Sequence, residues 1–230
     1  MRLAIVPARA GSKRIPNKNI RDFCGKPMLS YPLEAARASG LFETVHVSTD
    51  SPDICEIAKS LGFPVPFLRD ASLADDRTPL MPVVKWVLEK YREEKKTFSD
   101  VCLLMPCSPL LTPEDLTVSF GIYEANGRRN PLLSVAQYPA PVEWAFEREK
   151  SGRLRPCQPG MFAKRSQDLG QKFYDTGSIG IFNVDQVLNE EHSDGNFVSY
   201  VVPKHRAVDI DDEDDWLRAQ ALYRAMTHNG

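Results

Sequence analysis

Along the first half of the chain, short apolar runs alternate with segments whose apolar positions recur every three or four residues. Residues 3–7 form a continuous apolar run ending in proline, the pattern of a short strand buried on both faces. Residues 28–38 carry a helical pattern that stops near Gly40, and residues 43–49 return to strand character through Val45, Val47 and Thr49. Ser51 and Pro52 open a second helix, with Ile54, Ile57, Ala58 and Leu61 as its apolar stripe and Gly62 as its stop. Residues 65–68 predict another strand. Val83, Val84, Val87, Leu88 and Tyr91 form the next helical stripe, and residues 101–105 a further buried strand. Thr112, Pro113 and Asp115 then open a helix with proline at its first position and the spacing of a capping box.

This alternation predicts an α/β fold, a mostly parallel twisted sheet with helices on both faces. Ligands in such folds sit at the carboxyl ends of the strands, so the loops after residues 7, 49 and 105 should line one crevice. The pattern changes at about residues 131–171. Residues 133–138 and 144–147 look like strands, a turn falls at Ser151 and Gly152, and Pro156, Pro159 and Gly160 interrupt any helix. That stretch reads as an inserted arm within a single domain. Residues 178–183, 197–202 and 207–210 resume strand character. The chain closes on an amphipathic helix carrying Trp216, Ala219, Leu222, Tyr223 and Met226.

Composition narrows the class. With 230 residues, 42% of them hydrophobic, 26% charged and a net charge of −2, the chain suits one globular domain and not a disordered or collagen-like one. A chain of this length buries on the order of 70% of its unfolded surface. The near-neutral charge argues against a non-specific nucleic-acid coat, and no apolar run approaches a membrane span or a signal peptide. Five cysteines without a CxxC pair read as reduced thiols, so a cytoplasmic protein is expected. The four histidines are scattered, without the spacing of a zinc site.

The segment 7–19, PARAGSKRIPNKN, holds the densest candidate chemistry. A strand end feeds a loop in which Gly11 permits close backbone approach, Ser12 offers a hydroxyl, and Arg9, Lys13, Arg14 and Lys18 supply positive charge. Backbone N–H groups and fixed cations together suit a polyphosphate. The segment is neither GxxxxGK[ST] nor GxGxxG, which removes the main support for a P-loop NTPase or a dinucleotide-dependent redox enzyme. It also lacks the interleaved aromatics of an RNA-binding surface. A second signal is Asp209-Ile210-Asp211. Two carboxylates two apart on a strand share a face and could hold Mg²⁺ between phosphates. The acids at 212–215 read as the start of the last helix, where they favour its dipole. Asp50 and Ser51 read as helix caps.

In register, ARAGSKRIPNKN, VSTD, LRDASLADDRT, PCSPLLTPEDL and VDIDDEDD resemble the CMP-sialic-acid-synthetase type of cytidylyltransferase over essentially the whole chain. The pseudaminic-acid branch is the nearest in pattern, through the opening segment and residues 165–177. Met105, where a polar Gln is common in sialate enzymes, points the same way. Residues 178–182, SIGIF, depart from that branch's more aromatic stretch.

The resemblance implies a nucleotide-diphospho-sugar-transferase-like, Rossmann-type fold. It also implies a reaction of CTP with a nine-carbon 2-keto sugar acid that releases pyrophosphate, with the N-acetylneuraminate and legionaminate enzymes as alternatives. Ala8, Arg9, Gly11, Ser12, Lys13 and Lys18 then fall on the triphosphate, with Arg9 and Lys18 as catalytic cations. Asn19, Arg69 and Thr78 fall on the nucleotide. Asp209 and Asp211 match the Mg²⁺ ligands, Asp211 also being a candidate base. Met105, Lys164, Arg165, Gln167, Tyr174 and Asp175 are candidate sugar contacts, and residues 131–171 match a dimerisation arm, so a homodimer is expected.

Overall fold

The computed structural model describes residues 1–230 except 13, 76, 77, 191–194, 229 and 230, with only the backbone of residue 228. β1 (Arg2–Pro7) leads through the polar loop and a small hairpin, β2 (Asp22–Phe23) and β3 (Lys26–Pro27), into α1 (Ser30–Ser39). β4 (Thr44–Ser48), α2 (Pro52–Ser60), α3 (Leu80–Glu93), β5 (Asp100–Leu104) and α4 (Pro113–Ala125) follow. β6 (Leu132–Gln137) precedes the arm, whose hairpin is β7 (Phe146–Arg148) and β8 (Leu154–Pro156). The chain then returns as β9 (Phe173–Asn183), α5 (Val184–Leu188), β10 (Val198–Val201) and α6 (Glu213–His228).

The six-stranded sheet has the order β10-β6-β9-β5-β1-β4. β4, β1 and β5 are mutually parallel, as are β10 and β6, and β9 runs antiparallel between the two groups. Period-2 alternation sorts β1 between two cores. Ala4 and Val6 pack with α1, α2 and α4 on one face, and Leu3 and Ile5 with α3 and α5 on the other. The helices begin where local chemistry favours them. Ser51 caps α2, and Thr112 and Asp115 form a reciprocal capping box on α4. α1 ends at Gly40, which is left-handed at φ 64°.

A third cluster joins segments far apart in sequence. Ile15 from the polar loop, Phe23 and Met28 around the hairpin, Leu110, Val208 and Ile210, and Trp216 and Ala219 of α6 bury one another. Phe23 meets Trp216 edge-on at 5.3 Å, and the Arg21 guanidinium lies 4.5 Å over the Trp216 ring. This cluster brings the cationic loop against the acidic end of the chain.

The structure departs from the sequence reading in three places. Residues 65–68 form no strand: Pro64 and Pro66 lack N–H donors, and Leu68 is exposed. Residues 207–210 form no strand and pair with nothing: Ala207, Val208 and Ile210 are buried and Asp209 is exposed. Within residues 131–171, β6 belongs to the central sheet, and residues 142–144 make a single 3₁₀ turn before β7.

Candidate active site

A crevice of about 700 Å³ opens at the carboxyl ends of β1 and β5, a size in the range of small-molecule sites. Pro7, Arg9, Gly11, Ser12, Arg14, Lys18 and Asn19 line one wall. Met105, Pro106, Cys107 and Ser108, which follow β5, form the floor with Arg69, and Asp175 to Ser178 of β9 close another side. Asp209 and Asp211 face the loop.

The loop is held open by its own bonds. The Ala8 N–H donates to Ser48 O at 2.9 Å, and the Ala10 N–H to Asp50 Oδ1 at 3.3 Å. Asp50 therefore braces the loop, while Ser51 alone caps α2. The Asn19 side chain donates to Arg9 O at 2.9 Å and accepts from Cys107 Sγ at 3.5 Å, so this buried amide folds the loop back on itself. Burial pushes the Cys107 thiol up to about 11, leaving it protonated at neutral pH and a poor nucleophile.

Arg69 is 7% exposed, yet among the described residues its guanidinium bonds only the neutral Ser48, with Nε to Oγ at 3.1 Å and Nη2 to O at 2.5 Å. Burial lowers its pKa. The Asp50 charge works against that shift and the Arg9 charge adds to it. On the opposite side, burial and then the neighbouring Asp211 raise the pKa of Asp209, and Lys18 opposes them. Arg14 donates to Asp211 Oδ1 at 2.5 Å, and Lys18 Nζ to Ile210 O at 2.6 Å. The cationic loop thus touches the acidic strip directly through Arg14 and Lys18, and both segments border the crevice.

Among the sequence candidates, Arg9, Gly11, Ser12, Lys18, Asn19, Arg69, Met105, Asp175, Asp209 and Asp211 meet in this crevice, and Lys13 lies outside the described residues. Others lie elsewhere. Ala8 is fully buried in the core, so only its backbone borders the loop. The Thr78 hydroxyl donates to Asp75 at 2.9 Å, away from the crevice lining. Lys164, Arg165 and Gln167 are exposed on the arm. The Tyr174 ring packs on Tyr138 at 5.1 Å and against Ala136, Val202 and Ala207. Asp175 lines the crevice and also accepts the Gly177 N–H at 2.8 Å, closing a turn.

Sequence reasoning missed Ser108, Thr176 and Ser178 as lining residues, and Arg14 as the partner of Asp211. Ser108 had a signal in its place just after a strand. Thr176 and Ser178 lay in or beside the stretch that the resemblance singled out, but their place at the crevice depends on β9 running against its neighbours.

The cytidylyltransferase family matches residues 3–150. A pseudaminic acid cytidylyltransferase of Campylobacter jejuni is 33% identical over 223 residues, covering 96% of each chain. A CMP-N,N'-diacetyllegionaminic acid synthase of Legionella pneumophila is 32% identical over 228 residues, covering 96% of this chain and 95% of that one. In fold, the chain is similar to CMP:2-keto-3-deoxy-manno-octonic acid synthetase complexed with CTP, with a TM-score of 0.71 at 16% identity, over 98% of this chain and 99% of that one. Motif order, fold and full-length similarity agree, and the chain belongs to the cytidylyltransferase family.

Proposed function

We propose that this chain transfers CMP from CTP to the anomeric hydroxyl of a free nine-carbon 2-keto sugar acid, preferably pseudaminic acid, and releases pyrophosphate. The observation that carries this reading is the single crevice in which a cationic loop, the buried Arg69 and a carboxylate pair face one another. The hydroxyl oxygen bonds to the α-phosphorus as the bond to the β-phosphate oxygen breaks. The pyrophosphate departs with that electron pair, and the hydroxyl proton passes to a base, for which Asp211 is the candidate.

Charge grows on the leaving group, so catalysis here is placement plus electrostatics. Arg9, Lys18 and the backbone at Gly11 and Ser12 take the triphosphate, and Lys13 joins them on sequence alone. Arg69 receives the nucleotide from the floor of the crevice. Asp209 and Asp211 would hold Mg²⁺: two carboxylates turned into one crevice, with Asp209 disfavoured as an anion by burial and by its neighbour, suit a cation whose other ligands are phosphate and water. When bound, that cation supplies neutralisation of phosphate charge and acidifies the attacking hydroxyl.

For the acceptor, Met105 and Asp175 line the sugar side. Lys164, Arg165 and Gln167 serve only if the arm of one copy reaches the crevice of another. The exposed Phe146, Leu154 and Phe162 of the arm favour such a homodimer, in line with the arm's resemblance. Light scattering at micromolar concentration should then give twice the 25.9 kDa chain mass, and a fully active monomer would exclude it. A cytoplasmic location is part of this reading, and no helix among the described residues is long and apolar enough to cross a membrane.

The legionaminate relative, similar over the same span, supports a second acceptor. Pyrophosphate release with CTP, Mg²⁺ and pseudaminic, legionaminic or N-acetylneuraminic acid separates the readings. Fastest turnover of pseudaminic acid is expected, with Asp175→Ala changing sugar preference more than CTP affinity. Preference for another acid keeps the reaction and moves the acceptor, and silence with all three overturns the proposal.

A further inference from the structure

The carboxylates of Asp209 and Asp211 ride on a strip of chain that no backbone ladder holds. Sheet pairing ends where the Val202 N–H donates to Val135 O at 2.8 Å, and a turn follows in which the N–H groups of Arg206 and Ala207 both reach Pro203 O. Beyond the turn, buried Val208 and Ile210 alternate with Asp209 and Asp211. Packing of Val208 and Ile210 and the Lys18 bond to Ile210 O hold the middle of the strip, and side-chain anchors hold its two ends. At one end, Asp215 accepts the N–H of Asp211 at 3.0 Å and of Asp212 at 3.3 Å.

At the other end stands Arg206. Its Nη2 donates to Asp115 Oδ1 at 2.7 Å, and its Nη1 to the second oxygen of that carboxylate and to Leu110 O at 3.3 Å. Asp115 also accepts from Tyr200 Oη and from the Thr112 N–H. The two charged side chains are only 13% and 4% exposed, so solvent screens the fork little. A cavity of about 20 Å³ separates the pair from the crevice wall, and three of its lining residues, Ser108, Ser178 and Val208, also line the crevice. The ion pair thus ties the loop after β5, β10 and the base of the acidic strip to one carboxylate, directly behind the site.

We propose that Arg206, held by Asp115 and Tyr200, is a positioning residue: it fixes the reach of Asp209 and Asp211 toward the cationic loop and so sets the affinity of the site for its divalent cation. The proposal rests on the reading of those two carboxylates as the cation's ligands. A mere staple would lower stability alone, whereas a positioning residue weakens the cation selectively.

Arg206→Lys keeps the charge and loses the fork, and Tyr200→Phe keeps the fork and loses one bond to the carboxylate. Each is titrated with Mn²⁺ alone by electron paramagnetic resonance of the free ion, with CTP in the presence of chelator, and by thermal melting, alongside Asp209→Asn. Arg206→Lys should weaken Mn²⁺ binding about tenfold and Tyr200→Phe by roughly threefold, with metal-free CTP affinity unchanged within about twofold, since both act through the placement of the strip and bond neither carboxylate. An Arg206→Lys protein that melts lower but binds Mn²⁺ as tightly as the parent overturns the proposal. If that variant does not fold, Tyr200→Phe decides on the same readout. Loss of Mn²⁺ in Asp209→Asn with retention in both other variants sinks the positioning role alone. Retention in Asp209→Asn sinks the reading of the carboxylates, and the positioning role with it.

Discussion

Replacing Asp209 by asparagine is expected to lower kcat/KM on the order of a hundred- to a thousandfold, the scale of losing one preorganised electrostatic contact at a reacting phosphate. The same change should leave the metal-free protein at least as stable. Burial and then the Asp211 charge disfavour the ionised Asp209, raising its pKa in the folded state. For an acid with a raised folded pKa, the native state binds the proton more tightly than the unfolded chain. Stability is then fully present below the unfolded pKa and declines as pH rises through the folded one. At neutral pH the native protein already bears that cost, and a neutral amide removes it. Thermal melts with and without Mg²⁺ read both effects. The parent should gain stability from Mg²⁺ and Asp209→Asn should gain none. Equal Mg²⁺ stabilisation of the two proteins would remove Asp209 from the cation site.

How far the site could be foreseen depends on the range of the interactions that make it. The helical stripes of α2 and α3 and the apolar runs of β1 and β5 are written in local periodicity, and they appear in the structure within two or three residues of their expected bounds. So does the capping box of α4, since Thr112 and Asp115 are three residues apart. The cationic loop was visible because its chemistry is contiguous. What was hidden is non-local. Arg206 and Asp115 lie 91 positions apart, and neither residue alone marks the other. The direction of β9 is set by its partners β5 and β6, and it carries Thr176 and Ser178 to the crevice that a run of parallel βα units would have kept from them.

The strip at 207–210 shows a different limit. From Val208 to Asp211 buried and outward side chains alternate, although Ala207 is buried as well, and the two carboxylates share a place in the crevice. The alternation comes from packing on Ile15, Leu110 and Trp216, not from pairing in a sheet. Periodicity reports which side of a segment is buried, and it is silent on what buries it. Similarly, Tyr174 is a sugar contact only by what the resemblance implies, and its ring packs on Tyr138 and Ala136.

Arg69→Met is expected to separate binding from stability in the same way as the Asp209 variant, from the opposite charge. Arg69 is a guanidinium at 7% exposure whose hydrogen bonds end on neutral Ser48 atoms. A buried cation without a bonded carboxylate costs the fold desolvation that its hydrogen bonds only partly offset. Methionine is an unbranched apolar side chain that can follow the same path. The Ser48 carbonyl also keeps a partner after the change, because it accepts the Ala8 N–H as well. Stability should therefore remain within about 1 kcal/mol of the parent or rise. CTP affinity, by contrast, should fall on the order of ten- to a hundredfold, the loss of a charge-assisted bond to a phosphate or base oxygen. Paired melting and CTP titration decide the point. A variant that loses stability while holding CTP unchanged would make Arg69 a brace for the end of β4. Arg206 supplies the contrast within the same molecule, since its charge is matched by Asp115 and its removal should cost the fold as well as the site. Among the described residues no carboxylate is hydrogen-bonded to Arg69, and an anionic ligand in the crevice would supply the partner that this buried charge lacks.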